Sequence, residues 1–378
     1  MNCIEDKGIQ RFERMMKKKK VIIVSTVGLM YDGITSVIMS YLQAMNLEKF
    51  DIYVVSTINS ENSIKKTILD LGCHVIELPS RKTKTLKYLL CLISCIRTNQ
   101  IEVLHAHGNS ATLAIEMLAG WIGGCKKRIA HSHNTRCNQV RADKLLRPLF
   151  YLLYTDAFAC GEDAGKWLFE KRPFTVLNNG RNLEKFEFNP HLREKMRLKY
   201  KIGSELVFGH VGGFNPQKNH KFVLDVFRAI IEEESNAKCF FIGTGPLKEE
   251  IERQSIELKD NIIFVGNTDE VPAYLDMMDG MILPSIFEGL PLVAIEWQIN
   301  GLPCILSDTI TSQCAVTNEL KFMSLHDSPY EWAHRIIIDA RENTAVRAKK
   351  SADSKELVKK AGFDISENVK LLEKVYAE

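Results

Sequence analysis

Pro284–Thr309 reads PSIFEGLPLVAIEWQINGLPCILSDT, and this stretch decides the predicted fold. The apolar run Gly280–Leu283 directly before it indicates a buried strand. Pro291–Asn300 is predicted to form a helix, because proline suits a first helical residue and Gly301 suits the left-handed residue that follows a helix. Cys304–Leu306 indicates a further strand. The unit is therefore strand, turn, helix and strand, and the N-terminus of its helix suits a phosphate.

Two carboxylates belong to this unit. Glu288 lies in the turn, and Glu296 lies eight residues further on, inside the helix. A helical rise places them roughly 10–12 Å apart along the axis. Acid and base pairs of glycosidases stand about 5–9.5 Å apart, so the spacing favours the two ends of one extended ligand. The alternative is that Glu296 is a solvated helix residue, although it is flanked by Ile295 and Trp297.

Glu288 through Glu296 resembles the Glu-x7-Glu signature of retaining glycosyltransferases of family 4, and the resemblance extends from about Val21 to the C-terminus. The chain is similar to bacterial capsule and exopolysaccharide transferases. The resemblance implies the glycosyltransferase-B fold, in which two Rossmann-like, doubly wound α/β domains face a cleft. It also implies that Glu288 contacts the donor sugar and Glu296 the nucleotide ribose. The backbone at Gly289, Leu290 and Pro291 would then bind the donor diphosphate.

Length and the alternation of strand and helix patterns predict two domains. Residues 1–20 are predicted to be a basic, mobile extension with a short helix, and 21–185 an N-terminal acceptor domain. Residues 186–359 are predicted to be the domain that binds the nucleotide sugar. A single helix is expected over Ser354–Ala377, and the resemblance implies that its part from about 360 to 378 packs back on the first domain.

The charge is divided unevenly between the two halves of the chain. Residues 1–185 hold 27 Lys and Arg against 17 Asp and Glu, whereas residues 186–378 hold 23 against 30. A basic half suits an anionic membrane or acceptor, and it carries no nucleic-acid motif. The scattered cysteines and the lack of a signal peptide predict a cytoplasmic protein, with peripheral contact to the inner face of the cell membrane.

Histidines and one glycine mark the end of the predicted strands in the first domain. The related enzymes have two glycines after the first strand, near the donor phosphates and the acceptor, and only Gly33 carries over.

His105 and His107 share one strand face, as do His131 and His133. Neither carboxylate nor cysteine completes a metal-binding spacing, so no metal is predicted. The resemblance implies that His133 lies near the donor sugar, with His131 as the fallback and a hydrogen-bonded structural histidine as the alternative.

Residues 136–154 are predicted to be the acceptor edge, as an amphipathic basic helix that meets an anionic membrane. The alternative is an ordinary surface helix with a solvated charged side. The basic residues assigned to this edge are Arg136, Arg141, Lys144 and Arg147, and the apolar side comprises Leu145, Leu146, Leu149, Phe150 and Leu153.

The second domain carries a loop with Gly212, Gly213 and Lys218. The family motif is Gly-Arg followed several residues later by Lys, so Lys218 matches but Gly213 stands at the arginine position. Arg181, just after the turn between the domains, is predicted to supply the missing charge to the diphosphate. The alternative is that Lys218 suffices.

The resemblance also places the nucleotide base against the backbone of Gly266 and Asn267. Residues 183–200, between the domains, are expected to be a polar connector.

These features predict a retaining glycosyltransferase that moves a sugar from a nucleoside-diphosphate sugar, most simply a UDP-sugar, to a saccharide on a lipid diphosphate. No cofactor or metal is expected, because the helix dipole and Lys218 supply the charge. Two alternatives are a UDP-sugar epimerase of the same fold and a sugar-nucleotide-binding scaffold that has lost activity. A dinucleotide-dependent dehydrogenase is disfavoured, since Gly-x-Gly-x-x-Gly does not follow Val21–Ser25.

Overall fold

The computed structural model describes residues 18–57 and 60–378. The chain divides into two units, one formed by the residues up to Gly180 together with Ile365–Glu378, and the other by Arg181–Asp364. The predicted boundaries, after residues 185 and 359, differ from these by a few residues. Arg181 and Asp364 both belong to the second unit, where they form a parallel bridge with each other. Most of the predicted N-terminal extension lies outside the described residues.

The first unit is built on a seven-stranded sheet in which every pairing is parallel, in the order β3-β2-β1-β4-β5-β6-β7. Its central strands are apolar and buried along their length, as expected for a parallel sheet covered on both faces. Its strands are β1 (Lys19–Ser25), β2 (Phe50–Ser56), β3 (His74–Glu77), β4 (Val103–Gly108), β5 (Lys127–Ser132), β6 (Asp156–Ala159) and β7 (Thr175–Val176).

Helices follow most of these strands. They are α1 (Gly33–Ala44), α2 (Asn62–Asp70), α3 (Thr85–Asn99), α4 (Ala114–Gly123), α5 (Val140–Leu153) and α6 (Glu162–Phe169). The helices α3, α4 and α5 pack side by side. They therefore form one layer over the sheet.

The second unit contains a six-stranded parallel sheet in the order β10-β9-β8-β11-β12-β13. Its strands are β8 (Val207–Val211), β9 (Lys238–Ile242), β10 (Ile262–Gly266), β11 (Gly280–Leu283), β12 (Cys304–Ser307) and β13 (Leu320–Met323). Its helices are α7 (Leu183–Phe186), α8 (Pro190–Lys199), α9 (His220–Glu233), α10 (Lys248–Gln254), α11 (Val271–Met277), α12 (Leu292–Ile299), α13 (Pro329–Asn343) and α14 (Arg347–Lys360).

The C-terminal region corrects the prediction of one helix over Ser354–Ala377. The chain instead forms α14 and a separate helix α15 (Ile365–Ala377), because Gly362 adopts a left-handed φ of 86° between them. The helix α15 packs on α1 and β1 of the first unit. The predicted polar connector is likewise two short helices, each with an asparagine at its N-cap.

The strand order of each sheet reverses at one point, between β1 and β4 in the first unit and between β8 and β11 in the second. Ligands of doubly wound sheets bind beyond the carboxyl ends of the strands at such a reversal. In the second unit, the loops after β8 and β11 are residues 212–219 and 284–291. The topology therefore selects the two loops that carry Lys218 and Glu288.

Candidate active site

Lys218 and Glu288 form an ion pair where the loops after β8 and β11 meet. Lys218 Nζ lies 2.6 Å from Glu288 Oε1, and both side chains are largely buried. The Gln217 side-chain amide donates to Glu288 Oε2 at 3.1 Å and to the Phe287 carbonyl at 2.9 Å. The predicted residues Lys218 and Glu288 are thus in contact with each other. Gln217 holds the other carboxylate oxygen of Glu288.

The helix α12 begins directly after this pair. Its first residue is Leu292, so the helix begins one residue later than predicted. Pro291, which was predicted to be the first helical residue, is the N-cap. Because proline has no side-chain acceptor, no side chain caps the first turn, and the Pro291 residue accepts there only through its carbonyl, from the Ala294 N–H at 3.1 Å. Gly289, Leu290 and Pro291 lie at this end of the helix, as predicted, where an anion would be favoured by the N–H groups and the dipole.

Glu296 lies inside α12 and is buried, with 8% of its surface exposed. The Arg181 guanidinium Nε lies 2.8 Å from Glu296 Oε1, and Arg181 is only 2% exposed. Burial raises the pKa of Glu296, and the charge of Arg181 acts in the opposite direction. The solvated-residue alternative for Glu296 is therefore wrong. The guanidinium of Arg181 thus contacts Glu296, and its predicted role in place of an arginine at position 213 stays a prediction.

Two glycines, one in the loop after β9 and one in the β8 loop, differ in the space around them. A Cβ at Gly245 after β9, which has a φ of 156°, would lie 2.5 Å from the carbonyl oxygen of Phe214 in the β8 loop. At Gly213 an added Cβ would meet Asn215 Nδ2 and Thr244 O at an ordinary 3.6 Å. Packing therefore requires glycine at position 245, whereas the space at Gly213 would admit a side chain.

The other residues predicted to bind the donor lie at the end of a strand or between a strand and a helix. Gly212 follows β8, and an added Cβ there would touch the Lys218 side chain at 3.3 Å. Gly266 ends β10 with a φ of 81°, and Asn267 after it is exposed. In the first unit, Gly33 is the first residue of α1 and an added Cβ there would have open space around it. These positions are accessible from the carboxyl ends of the two sheets.

Four histidines at the end of β4 and β5 form two layers. In one layer His105 Nε2 lies 3.2 Å from His131 Nδ1, with the rings within 3° of coplanar. In the other His107 Nδ1 lies 2.8 Å from His133 Nε2. The layers stack, with ring centroids 4.1 Å apart for His105 and His107 and 4.2 Å apart for His131 and His133. We call this group the histidine stack.

The histidine stack is neutral and hydrogen-bonded. Burial lowers the pKa of His105 and His133 to about 3 and holds those of His107 and His131 well below the usual 6.5. A neutral imidazole has one donor and one acceptor nitrogen, so each facing pair makes one hydrogen bond. Ring nitrogens of His105, His107 and His131 lie within 4.8 Å of one another. The facing nitrogens of His105 and His131 are, however, already used in their mutual bond, so this geometry favours a hydrogen-bonded stack over a metal centre.

The helix α5 shows which predicted acceptor residues face solvent. Arg136 lies before the helix and is exposed, as are Arg141 and Lys144. Arg147 is instead held by Asp143 at 2.8 Å and by Glu170 at 3.2 Å. Its assignment to the acceptor edge is therefore corrected, because its charge is neutralised inside the unit.

The apolar side of α5 also differs from the prediction. Phe150 and Leu153 are buried in the core of the unit. Leu145 and Leu152 are each 79% exposed, and Leu149 lies between them. The spacing of these three leucines places them on one exposed stripe beside Arg141 and Lys144.

Comparisons with known proteins identify the family. The family model described as Glycosyl transferases group 1 matches residues 205–338. The chain is 30% identical over 379 residues to the protein named glycosyltransferase EpsF of Bacillus subtilis (strain 168), covering 96% of this chain and 97% of that protein. The chain belongs to the group 1 glycosyltransferases.

Two further likenesses agree with this assignment. The Escherichia coli UDP-Gal:alpha-D-GlcNAc-diphosphoundecaprenol alpha-1,3-galactosyltransferase is 26% identical over 313 residues, covering 76% of this chain and 79% of that enzyme. The structure of Anabaena Alr3699/HepE in complex with UDP-glucose superposes with a TM-score of 0.77 at 13% identity, covering 95% of this chain and 99% of that one. The predictions of a glycosyltransferase and of the α/β glycosyltransferase-B fold are confirmed.

Sequence reasoning did not select two residues that hold the predicted ones. In the second unit Gln217 donates to Glu288, and in the first unit the Tyr376 hydroxyl is hydrogen-bonded to His105 Nδ1 at 2.6 Å. No sequence pattern indicated Gln217 or Tyr376, because both act on residues far away in the sequence. His107, which the histidine spacing did indicate, is hydrogen-bonded to His133.

Proposed function

We propose that this glycosyltransferase moves a sugar from a UDP-sugar to a lipid-linked saccharide during polysaccharide biosynthesis, with retention of the anomeric configuration. The observation that carries the proposal is the Lys218–Glu288 ion pair at the N-terminus of α12. It places a cation, a carboxylate and a helix N-terminus at one point. The name of the Escherichia coli relative, with its UDP-galactose donor and lipid diphosphate acceptor, supports the choice of ligands.

Each group has a distinct task in this reaction. The bond between the anomeric carbon and the diphosphate oxygen breaks with its electron pair passing to UDP. The acceptor hydroxyl oxygen forms the new bond on the same face of the sugar, and its proton passes to the departing diphosphate. Lys218 and the N–H groups at Gly289 and Leu290 stabilise the charge that develops on UDP.

Glu288 orients the sugar hydroxyls, and Glu296 binds the ribose. We assign His133 to the donor sugar and Gly33 to its phosphates, as the resemblance implies. The backbone at Gly212, Gly213, Gly266 and Asn267 receives the rest of the nucleotide. Charge stabilisation of this kind requires no metal.

Thermal unfolding with a panel of nucleotides tests the donor. UDP and one UDP-sugar should raise the Tm more than GDP and GDP-sugars, because ligands that bind the folded state stabilise it. UDP release should then require a saccharide on a lipid diphosphate, and proton NMR of the product should show the donor's anomeric configuration. Epimerised UDP-sugar without an acceptor would indicate the epimerase instead, and an inverted product would contradict retention.

The layer formed by α3, α4 and α5 favours membrane contact. Exposed apolar side chains occur on all three helices, and the charged residues that they expose are basic. The carboxylates of these helices, Glu116 and Asp143, are buried and paired with Arg81 and Arg147. We call this surface the basic–apolar face, and it comprises Leu86, Leu90, Trp121, Leu145 and Leu152 together with Lys87, Arg97, Arg141 and Lys144.

A surface of this kind suits an anionic membrane. Exposed leucines and a tryptophan enter the interfacial region, and lysines and arginines attract acidic headgroups. Among the described residues, none of the helices has the length and hydropathy needed to cross a bilayer. We therefore propose peripheral contact through the basic–apolar face, which would bring the enzyme to an acceptor at the inner membrane surface.

Binding to vesicles of defined composition tests this face. Wild type should bind vesicles with acidic lipid, and binding should weaken as salt rises. Reversing Arg141 and Lys144 to glutamate should weaken it at least about tenfold, since each basic residue contributes about 1 kcal/mol near such a surface. Lys49→Glu with Lys66→Glu changes the net charge equally on exposed residues outside the face and should leave binding intact. Equal binding to neutral vesicles, or equal loss in both double variants, would contradict the proposal.

A further inference from the structure

The ion pair between Arg181 and Glu296 lies inside the second unit. Glu296 stands between Ile295 and Trp297, which are both fully buried. Its partner Arg181 has 2% of its surface exposed, and the contact joins Nε to Oε1 at 2.8 Å. A carboxylate in such surroundings loses most of its hydration, so the cation beside it determines whether the charged form persists.

The backbone of Arg181 is fixed independently of this contact. Its N–H donates to the Phe363 carbonyl at 2.7 Å, and the residue pairs with Asp364. Asn182 then caps α7 by accepting from the Lys185 N–H. The guanidinium is therefore presented to Glu296 from a short segment that is anchored on both sides, which lowers the entropy cost of holding it there.

Two neighbouring residues after the turn Asn179-Gly180 have separate tasks. The Asn182 side chain caps α7, a role for which asparagine is well suited. Arg181 places its charge on Glu296, the carboxylate assigned to the ribose.

We propose that Arg181 is a positioning residue, which holds Glu296 ionised and in one orientation so that it accepts hydrogen bonds from the two ribose hydroxyls of the nucleotide. The inference rests on the proposed function, because it takes the ribose as the ligand of Glu296. An ionised carboxylate accepts through both oxygens, and hydrogen bonds to a charged acceptor are the strong ones. Arg181 would thus determine how strongly the enzyme distinguishes a ribonucleotide from a nucleotide without ribose hydroxyls.

Calorimetric titration with UDP and 2′,3′-dideoxy-UDP tests the inference. Wild type should prefer UDP by about tenfold or more, in line with the loss of charged hydrogen bonds. Arg181→Met should bind the two nucleotides almost equally, and Arg181→Lys should recover much of the preference. Arg181→Met combined with Glu296→Gln should be no worse than Glu296→Gln alone, because both changes remove the same interaction.

The control is Arg335→Met, which removes an arginine paired with the buried Asp339 on α13. It should leave the preference for UDP unchanged. Equal weakening of both nucleotides by Arg181→Met would overturn the inference and assign Arg181 to the diphosphate. An unchanged preference in that variant would overturn it as well.

A measurement without nucleotide separates this inference from the proposed function. Arg181→Met should lower the Tm by leaving a buried carboxylate unpaired, and adding Glu296→Gln should restore part of the loss. If this restoration is seen but wild type does not bind UDP, the ion pair stands and the proposed function fails. If wild type prefers UDP and Arg181→Met keeps that preference, the proposed function stands and the positioning role fails.

Discussion

Lys218→Met should lower kcat by about 10²–10³-fold, the loss seen when one donor that stabilises developing charge is removed. Lys218 lies 2.6 Å from Glu288 at the N-terminus of α12, where the diphosphate is proposed to leave. Its charge acts most strongly as that leaving group becomes more negative. The effect on kcat should therefore exceed the effect on the donor KM. Steady-state assays of UDP release measure both constants.

The matched control is Lys221→Met, which removes an exposed lysine from the first turn of the neighbouring helix α9. It should keep wild-type kcat. Lys218→Arg should retain part of the activity, because it keeps the charge but alters its geometry. Equal kcat in Lys218→Met and Lys221→Met, with both proteins folded, would remove Lys218 from the reaction.

The protein should lose several kcal/mol of stability between about pH 7 and about pH 5. His105, His107 and His131 are almost fully buried, and the pKa of His105 is lowered to about 3. At pH 5 the unfolded chain binds protons on these imidazoles, whereas the folded chain does not, so acid favours unfolding. The stabilisation from a neutral His105 is fully present above about pH 6.5 and is lost as the pH falls towards 3, and the loss amounts to about 2 kcal/mol by pH 5. His107 and His131, whose pKa values are also held well below 6.5, add to this loss in the same direction.

Urea unfolding at the two pH values measures this loss. His131→Phe lacks one imidazole of the histidine stack. It should be less stable than wild type at pH 7, because the bond to His105 is removed, yet it should lose less on acidification. His334→Phe changes an exposed histidine in the second unit and is the matched control. The same acid loss in wild type and His131→Phe would show that His131 does not contribute to it.

The fold and the local features of the site could be predicted from the sequence because they depend on short-range patterns. The turn and helix around Glu288 follow from proline, glycine and an apolar run, and the helix begins within one residue of the predicted place. Lys218 could be placed by its motif for the same reason.

Contacts between distant residues could not be predicted in this way. Arg181 and Glu296 are separated by more than a hundred residues, so their ion pair depends on packing that no local pattern reveals. The charges of α5 recur every three residues, but the buried carboxylate of Asp143 decides that Arg147 turns inward. The histidine spacing predicted that each pair lies on one face of its strand. The layers of the histidine stack depend in addition on the register between β4 and β5, which sets His107 opposite His131 and which the spacing does not reveal.

The place of α15 in the chain has a consequence for biosynthesis. This helix completes the first unit, and Tyr376 reaches His105 across a separation of 271 residues. Once β7 has been translated, residues 177–378 remain, and their synthesis takes about 10–40 s at roughly 5–20 residues per second. During that interval β1 lacks the helix that packs on it, and His105 lacks its phenol partner. Chains that end before α15 would therefore leave part of β1 and α1 uncovered, and exposed apolar surface of this kind makes a chain a target for chaperones and proteases.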